Sequence, residues 1–535
     1  MRIGMEARAV PPVFLLQAQT EEERKECKTL GASWLPQYRV WATSHWDIVL
    51  DLARRTKTLL APEFTAALQK AVDRIETWGE AADDTGLTTK QRELLWDLYP
   101  YQRAGTAQIL HRRSLLLADD MGLGKTAQVA VAFRYLRGRN PGFRGLVVCP
   151  ATLKDWWAQE LSRWAGIDSS QVYILSGEKE DLEGKSASVT IVNYDIVAAH
   201  EARLIERPWD IVVLDEAHLC RNRSAKRTQV LFGIGRHRGL QAAKKVLLTG
   251  TPILNRPAEL FQLLRWLDPI GWPNSRTFQV QFCDGHLDRY GFWNAKGSSN
   301  LELLKQRLHR TVLVRRKKEQ VLKYLPPKTR QVLYVDPETE AMAPLGREYA
   351  WARSLGVNPS DDPSATYERL VSVAASFEEG AAIRHDLGVA KLPAVIRYLR
   401  IVLDQRDKVV VFAHHHDVIH GIEAAFGDEA VSLTGETPSE RRSEIVARFQ
   451  EDPKCKLFVG SIQAAGLGLT LTAADLAVFA ELDWTPANVL QAEDRLHRIG
   501  QQNPVQIQFL VTNESLDARI VQVLVEKLQT IQQIL

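Results

Sequence analysis

Trp209-Asp210-Ile211-Val212-Val213-Leu214-Asp215-Glu216-Ala217-His218 is the stretch that decides the fold. Its apolar run, Ile211 to Leu214, predicts a strand buried on both faces, with the carboxylates Asp215 and Glu216 at the carboxyl end, where open α/β sheets bind ligands. Upstream, the loop Asp119-Asp120-Met121-Gly122-Leu123-Gly124-Lys125-Thr126 lies between an apolar run, Ser114 to Ala118, and a helical stretch, Ala127 to Leu136. In such a strand, turn and helix, backbone N–H groups wrap nucleotide phosphates, Lys125 neutralises them and the Thr126 hydroxyl holds Mg²⁺. Asp119 replaces the first glycine of the G-x-x-x-x-G-K-T pattern. Asp215 supplies the second metal-binding group, and Glu216 orients the attacking water as general base. Together the two motifs imply an ATP-driven motor that uses ATP and Mg²⁺. His218 either couples the nucleotide to the next motif or caps the turn.

Working outward, apolar runs recur at Gly145 to Cys149, Val189 to Val192 and Val246 to Leu248, alternating with helical periods. A second series follows at Lys408 to Ala413, Val431 to Thr434, Lys456 to Gly460, Ala477 to Phe479 and Val505 to Val511. This alternation predicts α/β architecture, with two parallel-sheet lobes of similar build. The expected lobes span 92–270 and 389–535, with helical insertions and an interlobe linker over 271–388. Ahead of them, 1–80 reads as a small α+β module and 81–91 as a linker. Within the module, Phe14 to Leu16 predicts a strand, Thr20 and Glu23 a capping box, and Ser44 the start of a helix reaching about Leu60. Ser33-Trp34 and Arg39-Val40-Trp41 read as a hairpin around Pro36-Gln37.

A chain of 535 residues with 45% hydrophobic content has material for more than one core. Its net charge of +3 is too small for a global basic field, so a nucleic-acid surface has to be a local groove. The five cysteines show no C-x-x-C spacing, which excludes a zinc ribbon and suits a reducing compartment. No apolar stretch approaches the length of a membrane span, so a soluble intracellular protein without membrane contact is expected.

Tyr101-Gln102, the 119–126 loop, Asp215 to His218, Leu248-Thr249-Gly250-Thr251-Pro252, Ala465 to Thr472 and Gln491-Ala492-Glu493-Asp494-Arg495-Leu496-His497-Arg498-Ile499-Gly500-Gln501 occur in that order. This series resembles the Snf-type ATPases of helicase superfamily two over residues 92–535, and the stretch from Leu469 to Arg495 looks most like their HepA-related annealing helicases. The resemblance implies RecA-like lobes. It also implies that Gln102 meets the adenine edge, that Gly466, Gly468 and Gln491 help bind ATP, and that Arg495 and Arg498 are arginine fingers. Two departures keep their charge: Asp120 where the family usually has glutamate, and Arg221 where a lysine commonly precedes Asn222. The implied activity is translocation on double-stranded, forked or branched DNA by a monomer, with single-strand-binding protein as a partner. Annealing or fork regression is the expected outcome; strand separation, displacement of bound proteins and a non-catalytic scaffold are the alternatives. A bacterial or phage source with a cytoplasmic location fits the compact length, and a nuclear location fits a eukaryotic source.

DNA phosphates are expected on short polar loops at strand ends: Thr152 and Lys154, Asn193 and Tyr194, Arg221 and Asn222, Thr434 and Gly435, and Ser461. A solvated charged face is the plainer reading for the basic ones. The block Arg315-Arg316-Lys317-Lys318, followed by Leu325-Pro326-Pro327-Lys328, reads as a linker or DNA-facing element, with a targeting signal as its rival. His414-His415-His416 raises a metal site, which adjacent strand residues facing opposite ways argue against. Trp156, Trp157, Trp164 and Trp266 read as packing anchors. In the module, Leu30 to Trp34 and Tyr38 to Trp41 resemble the substrate-recognition domain of annealing helicases. Trp34, Arg39 and Trp41 are therefore candidates to contact unpaired bases, against the alternative that the tryptophans form a small core.

Overall fold

A computed structural model describes the chain except for residues 7–12, 57, 59, 62–63, 65, 67–87, 176, 178–186, 207, 251, 253–255, 290, 337–338, 358–361, 364–365, 368–369, 371–377, 463–468 and 535. The chain forms two compact units, which meet in sequence at Val321 and Leu322.

The first unit opens with an antiparallel sheet of β1 (Arg2–Glu6), β2 (Val13–Gln17), β3 (Ser33–Leu35) and β4 (Val40–Thr43), in the order β1-β2-β4-β3. The capping box forms: Thr20 Oγ1 accepts from Glu23 N at 3.2 Å, and Glu23 Oε2 accepts from Thr20 N at 3.2 Å. The next helix, Trp46–Arg55, buries Ile48, Val49 and Leu52 against Phe14 and Leu16. It stops short of Leu60, and the Thr56 hydroxyl turns back to the Leu52 carbonyl at 2.7 Å. No strand is expected from the sequence over Arg2–Glu6, yet its backbone pairs along β2 from Arg2 to Glu6.

This sheet and its helices are docked onto the rest of the first unit. Arg307 Nε donates to both oxygens of Asp47, at 3.2 and 3.0 Å, Ser44 Oγ donates to Asp268 at 2.5 Å, and Ser33 Oγ donates to the Ile270 carbonyl at 2.9 Å. The His45 ring packs edge-on to Trp272.

The main sheet of this unit is parallel and contains β5 (Ser114–Leu117), β6 (Gly145–Cys149), β7 (Val172–Ile174), β8 (Val189–Asn193), β9 (Trp209–Asp215) and β10 (Ala242–Leu248). A two-stranded hairpin, β11 (His286–Leu287) with β12 (Trp293–Asn294), lies outside it. The sheet is completed by β13 (Leu313–Val314), giving the order β13-β5-β10-β9-β6-β8-β7. Every residue of β6 and β8 is buried, as continuous apolar runs require when helices cover both faces. Leu248 is in register with both Leu117 and Asp215, so the carboxyl ends of β5, β9 and β10 are level.

The second unit has a parallel sheet of β14 (Lys328–Val335), β15 (Val409–Ala413), β16 (Ala430–Leu433), β17 (Leu457–Ser461), β18 (Leu476–Phe479) and β19 (Val505–Thr512), in the order β14-β19-β18-β15-β17-β16. Two parallel-sheet α/β lobes are therefore present. The segment expected to be helical insertion and linker differs from that reading, because β13 adds to the first sheet and β14 to the second, each meeting the backbone hydrogen bonds of an edge strand. The expected boundary at 388–389 falls inside one helix, Glu378–Leu403. Among the described residues, no helix is long and apolar enough to cross a membrane.

The Asp47–Arg307 pair is where the docking can be weakened most simply, because Arg307 keeps 8% of its side chain exposed and Asp47 25%. Arg307→Ala should cost about 3 kcal/mol of stability, at the low end for pairs of this kind because Asp47 is partly solvated. Chemical denaturation would read this as a lowered midpoint, whereas Arg54→Ala, at a side chain 81% exposed, should leave the midpoint in place.

Candidate nucleotide site and motor motifs

The phosphate loop leaves β5 and enters the helix Lys125–Arg139. Gly122 and Gly124 adopt φ of 81° and 75°, a left-handed path that side chains disfavour. At Gly124 space is also closed, since a Cβ would stand 2.4 Å from Gln102 Nε2. Lys125 Nζ donates to the carbonyls of Asp119 at 2.7 Å and Asp120 at 3.4 Å. Burial lowers the Lys125 pKa, against the opposing pull of Glu216, Asp119, Asp215 and Asp120. Thr126 is buried beside it, and Met121 lies under the motif after β10, where a Cβ on Gly250 would meet its Cγ at 2.4 Å.

Both acidic side chains of the loop are engaged by the protein itself. The Asp119 side chain has no exposed surface; Oδ1 accepts from Arg316 Nε at 3.0 Å and Oδ2 from Gln128 Nε2 at 3.0 Å. It holds the loop from below, and only its carbonyl meets Lys125. Asp120 is likewise engaged, through Arg315 at 2.9 Å and the Lys318 N–H at 3.0 Å. The basic block, expected to be a linker or a DNA-facing element, is largely internal: Arg315, Arg316 and Lys318 are buried, the two arginines are paired with the acids of the phosphate loop, and the Lys318 N–H meets Asp120. Gln102 is also buried. Its Nε2 donates to the Leu123 carbonyl at 3.0 Å and its Oε1 accepts from Tyr99 N at 3.0 Å, so here it braces the phosphate loop.

Across the sheet, Asp215 ends β9 and Glu216 turns the chain with φ of 49°. Burial, followed by the charge of Glu216, pushes the Asp215 pKa up to about 6, opposed by a hydrogen bond from Trp157 and by Lys125. Trp157 Nε1 reaches Asp215 Oδ2 at 2.8 Å, so this residue, expected as a packing anchor, also fixes an acidic-box carboxylate. The sequence signal was available: a fully buried indole needs an acceptor. Tyr194, expected to face DNA, is buried instead, and its hydroxyl donates to the Asp215 carbonyl at 2.7 Å. Residue 194 thus belongs to the support of the acidic box. His218 Nδ1 lies 3.3 Å from Glu216 Oε2 and 3.4 Å from Thr249 Oγ1, which links the acidic box to the motif after β10.

In the second unit, Gln491 and Arg495 are buried and Arg498 is half-buried. Arg495 Nε donates to the Gln491 carbonyl at 3.2 Å, and Arg498 donates to the Leu469 carbonyl at 2.9 Å. Gly466 and Gly468 lie outside the described residues. His415 pairs with Glu481 at 2.6 Å, and the N–H groups of His414 and His415 donate to the same carboxylate.

Of the expected DNA contacts, Arg221, Asn222 and Gly435 are exposed; Thr152, Lys154 and Ser461 are half-buried; Asn193 and Thr434 are buried. Lys154 Nζ is directed to the Leu175 carbonyl, and Asn193 to Asp195. On the amino-terminal hairpin, Trp34 is 45% and Tyr38 69% exposed, and Arg39 is exposed in a left-handed turn. Trp41 packs partly into the core, with its ring 5.5 Å from that of Trp34.

Comparison with known proteins agrees with this geometry. Residues 28–343 match the SNF2-related domain, and 390–500 match the helicase conserved C-terminal domain. The chain belongs to the SNF2-related family of ATP-hydrolysing enzymes. The "SWI/SNF-related matrix-associated actin-dependent regulator of chromatin subfamily A-like protein 1 homolog" of Caenorhabditis elegans is 31% identical over 93% of this chain and 71% of its own length. The Bos taurus "DNA annealing helicase and endonuclease ZRANB3" is 33% identical over 81% of this chain. This chain spans only 40% of that relative's length. A solved Sulfolobus solfataricus SWI2/SNF2 ATPase core in complex with dsDNA is 25% identical, covering 82% of this chain and 92% of that one, with a TM-score of 0.38.

Trp157→Phe removes the donor to Asp215 and keeps most of the packing. Turnover of ATP should fall about tenfold, equivalent to about 1.4 kcal/mol of barrier. Trp156→Phe, on the half-buried neighbour, should leave turnover unchanged in the same steady-state assay.

Proposed function

We propose that this chain is a DNA-dependent ATPase that translocates on double-stranded or branched DNA and remodels it, by annealing separated strands or regressing forks. One observation carries the reading: a phosphate-loop lysine, two adjacent carboxylates and a histidine beside one of them gather at the level ends of β5, β9 and β10. A relative named as an annealing helicase favours rewinding as the outcome.

ATP with Mg²⁺ suits this donor set. Two neighbouring acids, one with its pKa raised by burial and by the other's charge, form a place that a divalent cation relieves. Thr126 and Asp215 would hold the ion, which when bound neutralises charge on the phosphate oxygens. Lys125 exchanges its carbonyl partners for phosphate oxygens, and Glu216 orients the water. His218 holds Glu216 and transmits its position to Thr249. Arg495 and Arg498 act as arginine fingers, and Gln491, Gly466 and Gly468 are further residues for ATP binding. Gln102 acts on the nucleotide through the loop it braces.

The DNA contacts are drawn from Thr152, Lys154, Arg221, Asn222, Gly435 and Ser461, by bonds to phosphates, and Asn193 and Thr434, which are buried, are set aside with Tyr194. Trp34, with Arg39 beside it, is the better candidate for stacking on an unpaired base, because Trp41 is engaged in packing. Residues 1–80 act as the substrate-recognition module, joined by 81–91 to the first lobe, whose sheet extends to β13. The five cysteines are free and buried, which suits a reducing compartment.

Glu216→Gln should bind ATP yet lose about 10²-fold or more in turnover, and Lys125→Ala should lose binding or turnover. Arg495→Ala and Arg498→Ala should each cost about 10³-fold in turnover with little change in nucleotide affinity. ATPase assays with no DNA, linear duplex and forked DNA test the DNA dependence, with the fork expected to stimulate most. A bubble duplex coated with single-strand-binding protein should be reannealed in the presence of ATP. ATP-driven release of a long oligonucleotide from a tailed duplex would instead make the chain a strand-separating helicase.

A further inference from the structure

The chain that leads out of the first unit and into the second is ion-paired at both ends to the motifs of the ATPase. At its first end, hydrogen bonding along β5 and β13 continues past the strands into the phosphate loop, where Asp120 N donates to the Arg316 carbonyl at 3.0 Å. Arg316, 1% exposed, is paired with the fully buried Asp119, and Arg315 with Asp120. Arg315 also donates to the carbonyls of Ala118 at 2.9 Å and Gly250 at 3.3 Å, which ties the loop to the motif after β10. At its second end, within the other unit, Arg330 grips Glu493 through Nε at 2.6 Å and a terminal nitrogen at 2.7 Å. Lys328 donates to the same carboxylate at 2.7 Å, and the His497 ring bonds to the Pro326 carbonyl at 2.8 Å. Glu493 has no exposed surface and ends the helix Pro486–Glu493, two residues before Arg495 and five before Arg498.

We propose that Arg316 and Arg330 are positioning residues for ATP hydrolysis: the connector from Arg315 to Arg330 is a clamp with two ends, one setting the phosphate loop and the other setting the loop of the arginine fingers. The physical ground is the same at both ends. A carboxylate buried without solvent is stable only beside its cation, so each acid can occupy just the place its connector cation dictates. Each acid is also joined by a short stretch of backbone to the groups that meet the nucleotide, Asp119 by six residues to Lys125 and Glu493 by two to Arg495. The two ends should therefore be distinguishable by what they disturb: the first by nucleotide binding, the second by rate.

This inference rests on the proposed roles of Lys125, Arg495 and Arg498, and the experiment separates the two. Arg316→Lys and Arg330→Lys keep the charge but lose the planar fork, which is the least disruptive way to loosen each end. The full chain would be measured with saturating forked DNA for affinity of a fluorescent ATP analogue, steady-state kcat and KM, and melting temperature. Arg316→Lys should weaken nucleotide affinity and raise KM at least fivefold. Arg330→Lys should lower kcat at least fivefold with affinity changed less than twofold. A double variant, Arg330→Gln with Glu493→Gln, removes the charges of that pair together and leaves Lys328 beside Asp494 at 3.5 Å, and its kcat should remain low even when its melting temperature is that of the parent. Loss of activity in proportion to folded fraction, equal changes of affinity and rate at both ends, or parent kinetics in the folded double variant would overturn the clamp. Lys125→Ala and Arg495→Ala are run alongside: if they keep parent activity, the proposed roles of those residues fail, and if they lose it while the clamp variants show no such division, the clamp alone fails.

Discussion

A carboxylate with no exposed surface has to be met by the protein itself, and Asp119 is such a group. Arg316 and Gln128 meet it, and each brings a different part of the chain: one the segment after β13, the other the helix that follows the phosphate loop. The loop, the edge of the sheet and the first turns of that helix are consequently fixed to one charge. Above this anchor, the left-handed glycines carry the chain round to Lys125. The geometry of the nucleotide site therefore begins beneath the site, in groups that are not positioned to touch a ligand.

The acidic box is supported on the same plan. Asp215 is held by an indole donor from Trp157, its carbonyl receives the Tyr194 hydroxyl, and Glu216 is flanked by His218. Level strand ends make this possible, because parallel pairing in register delivers the turns after β5, β9 and β10 to one height. In the second unit another buried acid, Glu493, organises the turn that carries Arg495 and Arg498. Both units thus use a buried carboxylate met by connector cations to fix a short functional loop.

Strands and motifs were legible in the sequence because their causes are local. The fully buried strands of a parallel sheet carry continuous apolar runs, as at Ile211 to Leu214, and the phosphate loop needs glycine where φ is positive, as at Gly124. Long-range pairing left no such trace. Arg316 and Asp119 are 197 positions apart, and cations in a basic run usually point to water, so Arg315 to Lys318 read as a linker or a DNA-facing element with no sign of their buried partners. Tyr194 read as a polar loop residue, although its ring is buried and only the hydroxyl seeks a partner. The strand β13 is two residues long, below any periodicity, and is formed by the edge of β5. Trp34 and Trp41 are opposite each other in register and so share a face of the sheet, yet they differ in burial because β3 is an edge strand and β4 an inner one, an order that is read only once the sheet is known.

Glu216 has a left-handed backbone, at φ 49° and ψ 50°, in a residue type that seldom adopts it. Such a conformation costs on the order of 1–3 kcal/mol, and the buried strand before it together with the short helix after it hold it there. Side-chain chemistry and chain direction are therefore inseparable at this one position. A β-branched replacement would have to re-route the chain between β9 and Ala217, and glycine would remove the carboxylate while relaxing the turn. Only residues that tolerate the turn and match the length of glutamate can report on the acid alone, so the set of natural replacements open to drift at position 216 is narrowed by backbone geometry before catalysis is considered.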